Sequence, residues 1–262
     1  MAAYEVIAVR YATRDTRKSE VYHEYRSYGE PDEEIAMDYF FWVLRNATET
    51  ILVDTGYAPA AGERRGRTCL CPPLEALERI GVARDSVERI LLTHLHYDHT
   101  GSVAAFPDAE LLVHPQELDL WAGPYAARPL FAHLIEPDEI AVIEDARRAG
   151  RVRMLGDDET IADGIRTVRV GGHSPGQLVA VVDTAEGVAV LASDTIHYYE
   201  ELERDRPFAI LWNLQEMYEG YELLRELTRE PGVALVAGHD PAVVDRFPAL
   251  SPETAGLAVR VA

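Results

Sequence analysis

The segment Thr93–Gly101 concentrates side chains that can bind a metal ion. It reads Thr-His-Leu-His-Tyr-Asp-His-Thr-Gly, so that His94, His96, Asp98 and His99 lie within six residues of one another. On an extended backbone His94 and His96 point to the same side, and a turn or helix start can bring the other two round. Imidazole and carboxylate ligands suit Zn²⁺, Fe²⁺ or Mn²⁺, and the lack of cysteine disfavours a structural thiolate site. The segment therefore predicts a metal site.

Three further metal-capable side chains come directly after predicted strands or in glycine-rich turns. His173 lies in Gly-Gly-His-Ser-Pro-Gly, Asp194 follows Val-Ala-Val-Leu-Ala-Ser, and His239 follows Ala-Leu-Val-Ala-Gly. Glycine and proline end both helical and strand periodicity at such places, so each residue taken alone is more often a turn residue than a ligand. Taken with the first cluster, they complete seven ligands, which is enough for two metal ions.

The elements that must position these residues are short apolar, β-branched runs that alternate with helical stretches. The pattern predicts strands at Tyr4–Tyr11, Tyr39–Arg45, Thr50–Asp54, Val87–Thr93, Glu110–His114, Ile165–Val170, Leu178–Asp183, Val188–Ala192 and Val233–Ala237. It predicts helices at Pro73–Ile80, Pro137–Arg148 and Leu214–Arg229. The turns 46–49 and 183–187 lie between strands and predict hairpins. Strands in both halves with helices between them favour a layered α/β or α+β domain.

Segment 119–137 shows neither the strand nor the helix periodicity, because it mixes aromatic residues with three prolines. Two interpretations are open: an irregular helical insertion packed on the core, or an aromatic flap over a substrate pocket. The candidate pocket residues are Met37, Phe40, Phe41 and Trp42 in strands, Phe131, and the four favoured loop residues Trp121, Tyr125, Phe208 and Trp212. Arg128 and Arg206 lie near these aromatics and are candidates to hold an anionic substrate group, although a surface role is commoner for arginine.

The composition argues against several kinds of partner. The 262 residues include 25 Lys or Arg and 45 Asp or Glu, so the formal net charge is −20. Nucleic-acid binding normally requires a basic face, and an anionic membrane surface would repel this chain. No apolar run reaches about 18 residues, and the N-terminal stretch lacks the features of a signal peptide. We therefore expect a cytoplasmic monomer or homodimer that acts on a small molecule, with no nucleic acid or membrane partner.

Cys69 and Cys71 are separated by one residue, which is poor spacing for a stabilising disulfide. Such a pair can bind a soft metal or form a reactive dithiol. Without lysines nearby, and with two prolines following, the pattern favours buried structural thiols.

The ligand series, which spans most of the chain, resembles that of the metallo-β-lactamase superfamily: His94-x-His96-x-Asp98-His99, then His173, Asp194 and His239. Asp54, in Leu-Val-Asp-Thr-Gly, matches a strand-end Asp-Thr-Gly of that superfamily. The resemblance implies an α/β (α+β) fold, a four-layer αββα sandwich of two mixed β-sheets flanked by helices. Residues 1–262 would form a single domain, with an aromatic-rich insertion at about 119–137 and the metals at one edge of the two sheets.

Within the superfamily, the chain is most similar to the N-acyl homoserine lactone lactonase branch. The similarity lies in the adjacent Asp98 and His99, the Gly-His-Ser-Pro-Gly context of His173, and the length. It implies two divalent metal ions, expected to be Zn²⁺, with Fe²⁺, Mn²⁺ or Co²⁺ as alternatives. It assigns His94, His96 and His173 to one ion and Asp98, His99 and His239 to the other. It also implies that Asp194 bridges the two ions and that Asp54 orients a ligand imidazole.

The reaction implied by this resemblance is hydrolysis of a lactone ester bond, with an N-acyl homoserine lactone as a candidate substrate. A hydroxide that bridges the two metals would attack the carbonyl, and Asp98 would carry the proton. The branch commonly has a tyrosine three residues after the bridging aspartate, where this chain has His197 followed by Tyr198. Either residue is a candidate to supply a proton or a hydrogen bond, and either could instead be an ordinary loop anchor.

Two alternative activities stay open at this point. A thioester hydrolase of the glyoxalase II type shares the ligand pattern, but would want basic residues for a glutathione-like carboxylate, and the sequence shows no obvious cluster of them. A persulfide dioxygenase uses the same fold with a single iron and performs an oxidation.

Overall fold

The computed structural model describes residues 3–262 and contains two β-sheets with helices in the connections between strands. The strands are β1 (Glu5–Arg17), β2 (Glu34–Arg45), β3 (Thr50–Val53), β4 (Thr68–Cys69), β5 (Val87–Leu91), β6 (Glu110–Val113), β7 (Val152–Met154), β8 (Asp158–Ala162), β9 (Ile165–Arg169), β10 (Leu178–Thr184), β11 (Gly187–Ser193), β12 (Val233–Ala237) and β13 (Ala258–Arg260). The α-helices are α1 (Lys18–Val21), α2 (Pro59–Arg64), α3 (Pro73–Arg79), α4 (Tyr97–Thr100), α5 (Pro115–Trp121), α6 (Pro129–Ala132), α7 (Pro137–Arg148), α8 (Tyr199–Arg204), α9 (Leu214–Leu227) and α10 (Val243–Arg246). Short 3-10 helices lie at Tyr25–Tyr28, Arg84–Ser86, Val103–Ala105 and Pro252–Thr254.

Both sheets are mixed. The first has the order β13-β1-β2-β3-β5-β6-β7, with β4 beside β1, and its strands β3, β5, β6 and β7 run parallel. The second has the order β12-β11-β10-β9-β8, in which only the β11–β12 pair is parallel. Parallel neighbours place their carboxyl ends at the same edge of a sheet. The loops after β3 and β5, and those after β11 and β12, are thereby brought together in pairs.

The central strands are buried on both faces, as expected where helices or a second sheet cover both sides. Val6, Ile7, Ala8 and Val9 in β1 are fully buried in succession, and so is the run 189–192 in β11. These continuous apolar runs are the signal from which the strands were predicted. All nine predicted strands and all three predicted helices are present, with ends that shift by a few residues in most cases.

The largest difference concerns the hairpin of β1 and β2, which is longer than predicted. A register shift between Arg10 and Ala12 lets β1 continue as far as Arg17, which pairs with Glu34 at the start of β2. The added part of β1, Ala-Thr-Arg-Asp-Thr-Arg, has no apolar run, so hydrophobic periodicity could not reveal it. The missed strands β4, β7, β8 and β13 are all five residues long or shorter.

The two predicted hairpin turns are confirmed, since β2 pairs antiparallel with β3 and β10 with β11. Segment 119–137 contains the end of α5 and the single-turn helix α6, as the first interpretation predicted. Within residues 3–262, no helix combines the length and the apolar character needed to cross a bilayer.

Cys69 and Cys71 are free thiols, the first partly buried on β4 and the second fully buried. Burial raises the pKa of both thiols. This agrees with the prediction of structural cysteines.

Candidate metal centre

All seven predicted metal ligands come together where strands of the two sheets end. His94 and His96 follow β5, and the single-turn helix α4 begins just after them and carries Asp98 and His99. Those from the second sheet are His173 in the loop from β9 to β10, Asp194 directly after β11, and His239 after β12. The ligand atoms of His94, His96 and His173 lie within 4.8 Å of one another, and so do those of Asp98, His99 and His239.

The carboxylate of Asp194 lies between these two groups. Its Oδ2 atom is 3.8 Å from Nε2 of His94 and 3.4 Å from Nε2 of His173. Its Oδ1 atom is 3.4 Å from Nε2 of His99 and 3.2 Å from Nε2 of His239. Ligand atoms around one metal ion lie about 2 Å from it, so separations of this size between ligands are those of a coordination sphere. Each oxygen of Asp194 thus faces a different group.

Several buried atoms here have no hydrogen-bond partner within residues 3–262, namely Nε2 of His94, His96 and His99 and Oδ1 of Asp194. Buried polar atoms are normally satisfied, so a cluster of unsatisfied acceptors indicates a ligand site. In His99 and His239 the opposite ring nitrogen is bonded. Nδ1 of His99 lies 2.8 Å from Oδ2 of Asp54, and Nδ1 of His239 lies 2.7 Å from the Asp38 carbonyl oxygen. These bonds hold the Nδ1 side of each ring and direct Nε2 towards the ligand cluster, where its lone pair would bind a cation once Nε2 carries no proton.

The pKa shifts divide the imidazoles around the ionised carboxylate of Asp194: His94, His96 and His173 favour the neutral form, and His99 favours the protonated form. Burial holds the pKa of His94 and His96 well below the ordinary value, and it lowers that of His173 to about 3. Burial also raises the pKa of Asp194, but the surrounding imidazoles outweigh it and hold this pKa well below the usual range. Burial lowers the pKa of His99, yet nearby carboxylates raise it well above its ordinary value. A metal ion that binds His99 would displace this proton.

Thr93 joins the two sheets behind the ligands. Its backbone N–H and hydroxyl both donate to the carboxylate of Asp54, each at 2.8 Å, and its Oγ1 lies 2.8 Å from Oγ of Ser193. Asp54 and Ser193 have left-handed backbone conformations, with φ of 64° and 45°. Such strain is typical of functional sites, where surrounding contacts hold it in place. Asp54 was expected to orient a ligand imidazole, and its contact with His99 has the geometry for this.

Glu117 is a site-positioning residue that the sequence did not reveal. Its fully buried carboxylate accepts hydrogen bonds from Leu95 N (3.0 Å) and Trp121 Nε1 (2.9 Å) through Oε2. Through Oε1 it accepts bonds from Ser174 Oγ (2.6 Å) and Gly176 N (2.7 Å). Leu95 lies between two of the predicted ligands and Ser174 follows a third, so this carboxylate connects two ligand-bearing loops.

His197 lies beside the bridging carboxylate. Its Nε2 atom is 3.0 Å from Oδ2 of Asp194, and its Nδ1 atom is 3.4 Å from Oε1 of Glu201. The ring stacks on Phe208 with 3.4 Å between the ring centroids. Burial lowers the pKa of His197, but the two carboxylates raise it to about 9.

Tyr198 lies differently, although it is the next residue. Its hydroxyl donates to the Ala36 carbonyl oxygen at 2.9 Å, and the ring does not line the cavity described below. Of the two candidates for the position after the bridging aspartate, the structure brings His197 to the ligand set. A catalytic role for either residue stays a prediction.

A cavity of about 560 Å³ adjoins the ligand set, a size suited to a small organic molecule. The metal-capable residues that line it are His96, Asp98, His173, Asp194, His197 and His239. Met37, Tyr39, Tyr97, Phe208 and Ile210 supply apolar and aromatic surface, and residues 132–137 form another part of the lining. Residues 132–137 of segment 119–137 therefore line the pocket, although its aromatic residues Trp121, Tyr125 and Phe131 do not.

The predicted pocket residues divide between the cavity and other places. Met37 and Phe208 line it, whereas Trp121 lies behind His96, with 5.0 Å between ring centroids. The remaining candidates are not among the lining residues: Phe40, Phe41, Trp42, Tyr125, Phe131 and Trp212.

The basic residues of the cavity differ from those expected. Arg206 is buried and paired with Glu30 and Glu200, and exposed Arg128 does not line the cavity. The cavity is lined instead by a cluster of four other arginines, namely Arg14, Arg64, Arg65 and Arg67. The expectation that basic residues do not cluster was therefore wrong. Three of the four are nearly contiguous in the sequence, but Arg14 joins them only because β1 continues past its predicted end.

The chain is similar to known metal-dependent hydrolases in sequence and in fold. The sequence model of the metallo-beta-lactamase superfamily matches residues 38–244. The N-acyl homoserine lactonase AiiA of Bacillus thuringiensis subsp. kurstaki is 22% identical over 227 residues, which covers 80% of this chain and 84% of that protein.

Two solved structures illustrate the likeness in fold. One is an N-acyl homoserine lactone hydrolase with the product N-hexanoyl-L-homoserine bound at its catalytic metal centre. It has a TM-score of 0.74 at 20% identity and covers 95% of this chain and 98% of its own. The dizinc quorum-quenching lactonase AidC has a TM-score of 0.74 at 17% identity, and the match covers 92% of this chain and 89% of the AidC chain. These matches confirm the predicted four-layer sandwich.

Proposed function

The chain belongs to the metallo-beta-lactamase superfamily, and from that premise we propose that it is a dinuclear metal-dependent hydrolase that opens the ester bond of a lactone. Its curated relatives and structural neighbours include metal-dependent lactonases. An N-acyl homoserine lactone is the first substrate to test, and activity on it would make the chain a quorum-quenching enzyme.

The position of Asp194 is the observation that carries the proposal. One of its oxygens faces His94 and His173, and the other faces His99 and His239, at 3.2 to 3.8 Å. A single-metal site would not need a buried carboxylate with ring nitrogens on both sides. The arrangement therefore favours two ions that share Asp194.

The donor set fits divalent zinc, with Fe²⁺, Mn²⁺ or Co²⁺ as alternatives. The residues proposed for one ion are His94, His96 and His173, those for the other are Asp98, His99 and His239, and Asp194 is common to both. When bound, two such ions lower the pKa of a shared water from about 15.7 towards about 7 and polarise the ester carbonyl.

Asp98 is the residue proposed to carry a proton between the attacking water and the leaving oxygen. Its side chain remains 13% exposed and lines the cavity, whereas Asp194 is 4% exposed between the imidazoles. A carboxylate oxygen of Asp98 can therefore accept a proton and release it on the substrate side. The hydroxyl of Tyr11 donates to the Asp98 carbonyl oxygen at 3.0 Å and fixes the backbone of this residue.

His197 is proposed to hold a proton at Nε2 that can be shared with the substrate carbonyl or leaving oxygen. The ring stacks on Phe208 at the cavity surface, with Asp194 and Glu201 close to its two nitrogens, neither of which has a hydrogen-bond partner within residues 3–262. Such a group typically contributes about 10²- to 10⁴-fold to the rate. We expect His197→Gln to lower turnover while the metal content stays at the wild-type value. Tyr198→Phe is the matched control, and an equal loss in both variants, or no loss in His197→Gln, would contradict the assignment.

The function itself is tested by acid release in a pH-stat with zinc-reconstituted protein. The panel comprises acyl homoserine lactones, simple γ- and δ-lactones and one glutathione thioester, and bound metal is counted by plasma mass spectrometry. Hydrolysis of the lactones with about two metal ions per chain supports the proposal. Hydrolysis of the thioester alone would favour the glyoxalase II-type activity, and a single iron with oxygen uptake would favour the dioxygenase.

A further inference from the structure

The cavity carries positive charge that hydrolysis of a neutral lactone does not require. Its lining includes Arg14, Arg64, Arg65 and Arg67, in a chain where acidic residues outnumber basic ones by 45 to 25. In such a chain most guanidinium groups have carboxylate neighbours. The four cavity arginines differ in whether they have such a carboxylate partner.

Arg64 and Arg65 share one carboxylate partner within the protein. Both form ion pairs with the carboxylate of Glu136, Arg64 at 2.9 Å and Arg65 at closer range. The Arg65 guanidinium also lies 4.0 Å from the centre of the Tyr97 ring. These contacts tie the end of α2 to residues 133–136, and the single carboxylate leaves one net positive charge on this pair of arginines.

Arg14 and Arg67 have no such partner. Nε of Arg14 contacts Sδ of Met37 at 3.3 Å. Arg67 donates through Nη1 to the Arg65 carbonyl oxygen at 2.8 Å, and its Nε lies 3.4 Å from the Tyr97 hydroxyl. Neither guanidinium forms an ion pair with a carboxylate of residues 3–262. Each is partly buried at the cavity and is bonded only to neutral atoms.

The carboxylates of the cavity form no ion pair with these two arginines. Burial lowers the pKa of Arg67, but Tyr39, Tyr97 and the charge of Asp98 raise it above its ordinary value, and Asp98 acts there only at a distance. Asp98 and Asp194 are committed to the ligand set, and Glu136 already bonds two arginines. A partly desolvated cation with neutral partners is unfavourable, and a bound anion removes that cost. The planar guanidinium is also well matched to a carboxylate, which accepts two parallel N–H bonds.

We propose that Arg14 and Arg67 form a subsite for an anionic group of the substrate, and that the preferred substrate is a lactone or related ester that carries a carboxylate. This inference rests on the proposed hydrolase function. It distinguishes the chain from an enzyme for neutral lactones, because a neutral substrate in this cavity leaves both cations without a counter-charge.

The test compares matched γ-butyrolactones whose acylamido chain ends either in a methyl group or in a carboxylate, over a series of chain lengths. We expect kcat/KM to be about 10- to 100-fold higher for the best carboxylate member than for its methyl counterpart, mainly through KM. Added sodium chloride should reduce this ratio, because ions screen a partly exposed charge pair.

Arg14→Gln and Arg67→Gln should each lower the carboxylate-to-methyl ratio by about tenfold. Arg67→Lys keeps the charge and should restore part of the ratio, which a merely structural role would not predict. Arg128→Gln is the matched control, since this exposed arginine does not line the cavity, and its ratio should equal that of the wild type.

Failure of the subsite and failure of the hydrolase proposal give different results. Lactone hydrolysis with a ratio near one, or with a ratio that the two Gln variants leave unchanged, would overturn the subsite alone. If the zinc-loaded protein hydrolyses neither lactone, the function fails, and calorimetric binding of the corresponding γ-lactams decides the subsite. Tighter, Arg67-dependent binding of the carboxylate lactam supports the subsite, and equal binding overturns it. Arg67-dependent hydrolysis of only the glutathione thioester would support the subsite and reject the lactone.

Discussion

Replacement of Glu117 should weaken both the fold and the metal centre, although this side chain is not a predicted ligand. Its carboxylate accepts four hydrogen bonds from Leu95, Trp121, Ser174 and Gly176. Burial raises the pKa of Glu117, and these four donors oppose that shift. Glu117→Ala removes all four acceptor contacts at once, and Glu117→Gln replaces one of the two oxygens with a donor group.

The magnitude follows from the donors that lose their acceptor. Two backbone N–H groups and one indole N–H cannot rotate away, and each unsatisfied buried donor costs about 1–3 kcal/mol. Three such donors give roughly 3–9 kcal/mol, and water entering the space left by the side chain favours the lower end. We therefore expect a loss of about 3–5 kcal/mol for Glu117→Ala. In Glu117→Gln two donors would face the new amide, and we expect about 2–4 kcal/mol.

The assay separates stability from metal affinity. Urea unfolding of EDTA-treated protein measures the free energy of unfolding, and competition with a zinc chelator measures affinity, which should fall about 10- to 100-fold. Glu88→Gln, an exposed position on β5, is the control and should change stability by less than about 0.5 kcal/mol. A free energy of unfolding equal to wild type in Glu117→Gln would refute the calculation. Zinc affinity equal to wild type in a destabilised variant would show that Glu117 supports the fold without positioning the ligands.

Three further changes test other parts of the centre. Asp54→Asn weakens the hydrogen bond that orients the His99 imidazole. Zinc affinity in the same chelator assay should therefore fall about 10- to 100-fold, and an unchanged affinity would contradict this role. In Gly238→Ala the new Cβ would meet the Ser193 carbonyl oxygen at 2.6 Å and Oδ1 of Asp194 at 2.9 Å. Thermal unfolding should show a loss of about 1–3 kcal/mol, and a stability equal to wild type would mean that the turn adapts freely. Burial raises the pKa of Cys71, so iodoacetamide should label the native thiol far more slowly than the urea-unfolded one, and equal rates would contradict its burial.

The ligand set could be predicted because its signals are local. Each ligand follows a continuous apolar strand or lies in a glycine-rich turn, and four of the seven lie in one segment of the chain. The strands could be predicted for the same reason, since β1, β5 and β11 are buried on both faces and read as apolar runs. The lone His197 was also identified, because it lies three residues after a predicted ligand.

The residues that support and surround the centre lacked such signals. Glu117 is one acidic residue in a short helix, and only the fold shows that four donors from three segments point at it. Arg14 lies in a polar stretch that becomes a strand through pairing with β2, after a register shift near Tyr11. Tertiary pairing overrides local propensity there, so periodicity could not place Arg14 beside the cavity.

The metal-capable residues and the rest of the cavity lining differ in sequence signal because different elements of the fold carry them. The metal-capable residues lie at the ends of buried strands, where the two sheets fix their separation and leave little freedom for change. Much of the remaining cavity lining comes from the hairpin of β1 and β2, from the end of α2 with the loop after it, and from residues 132–137, and Tyr97, Phe208 and Ile210 complete it. Arg14 and Arg67 are partly exposed there, and substitutions in such outer segments are generally tolerated better than at the ends of buried strands. Arg14 also precedes the residues that the superfamily model matches. Membership of the superfamily therefore argues for hydrolysis at the metal centre, whereas the substrate proposed for this chain rests on Arg14 and Arg67 in the cavity lining.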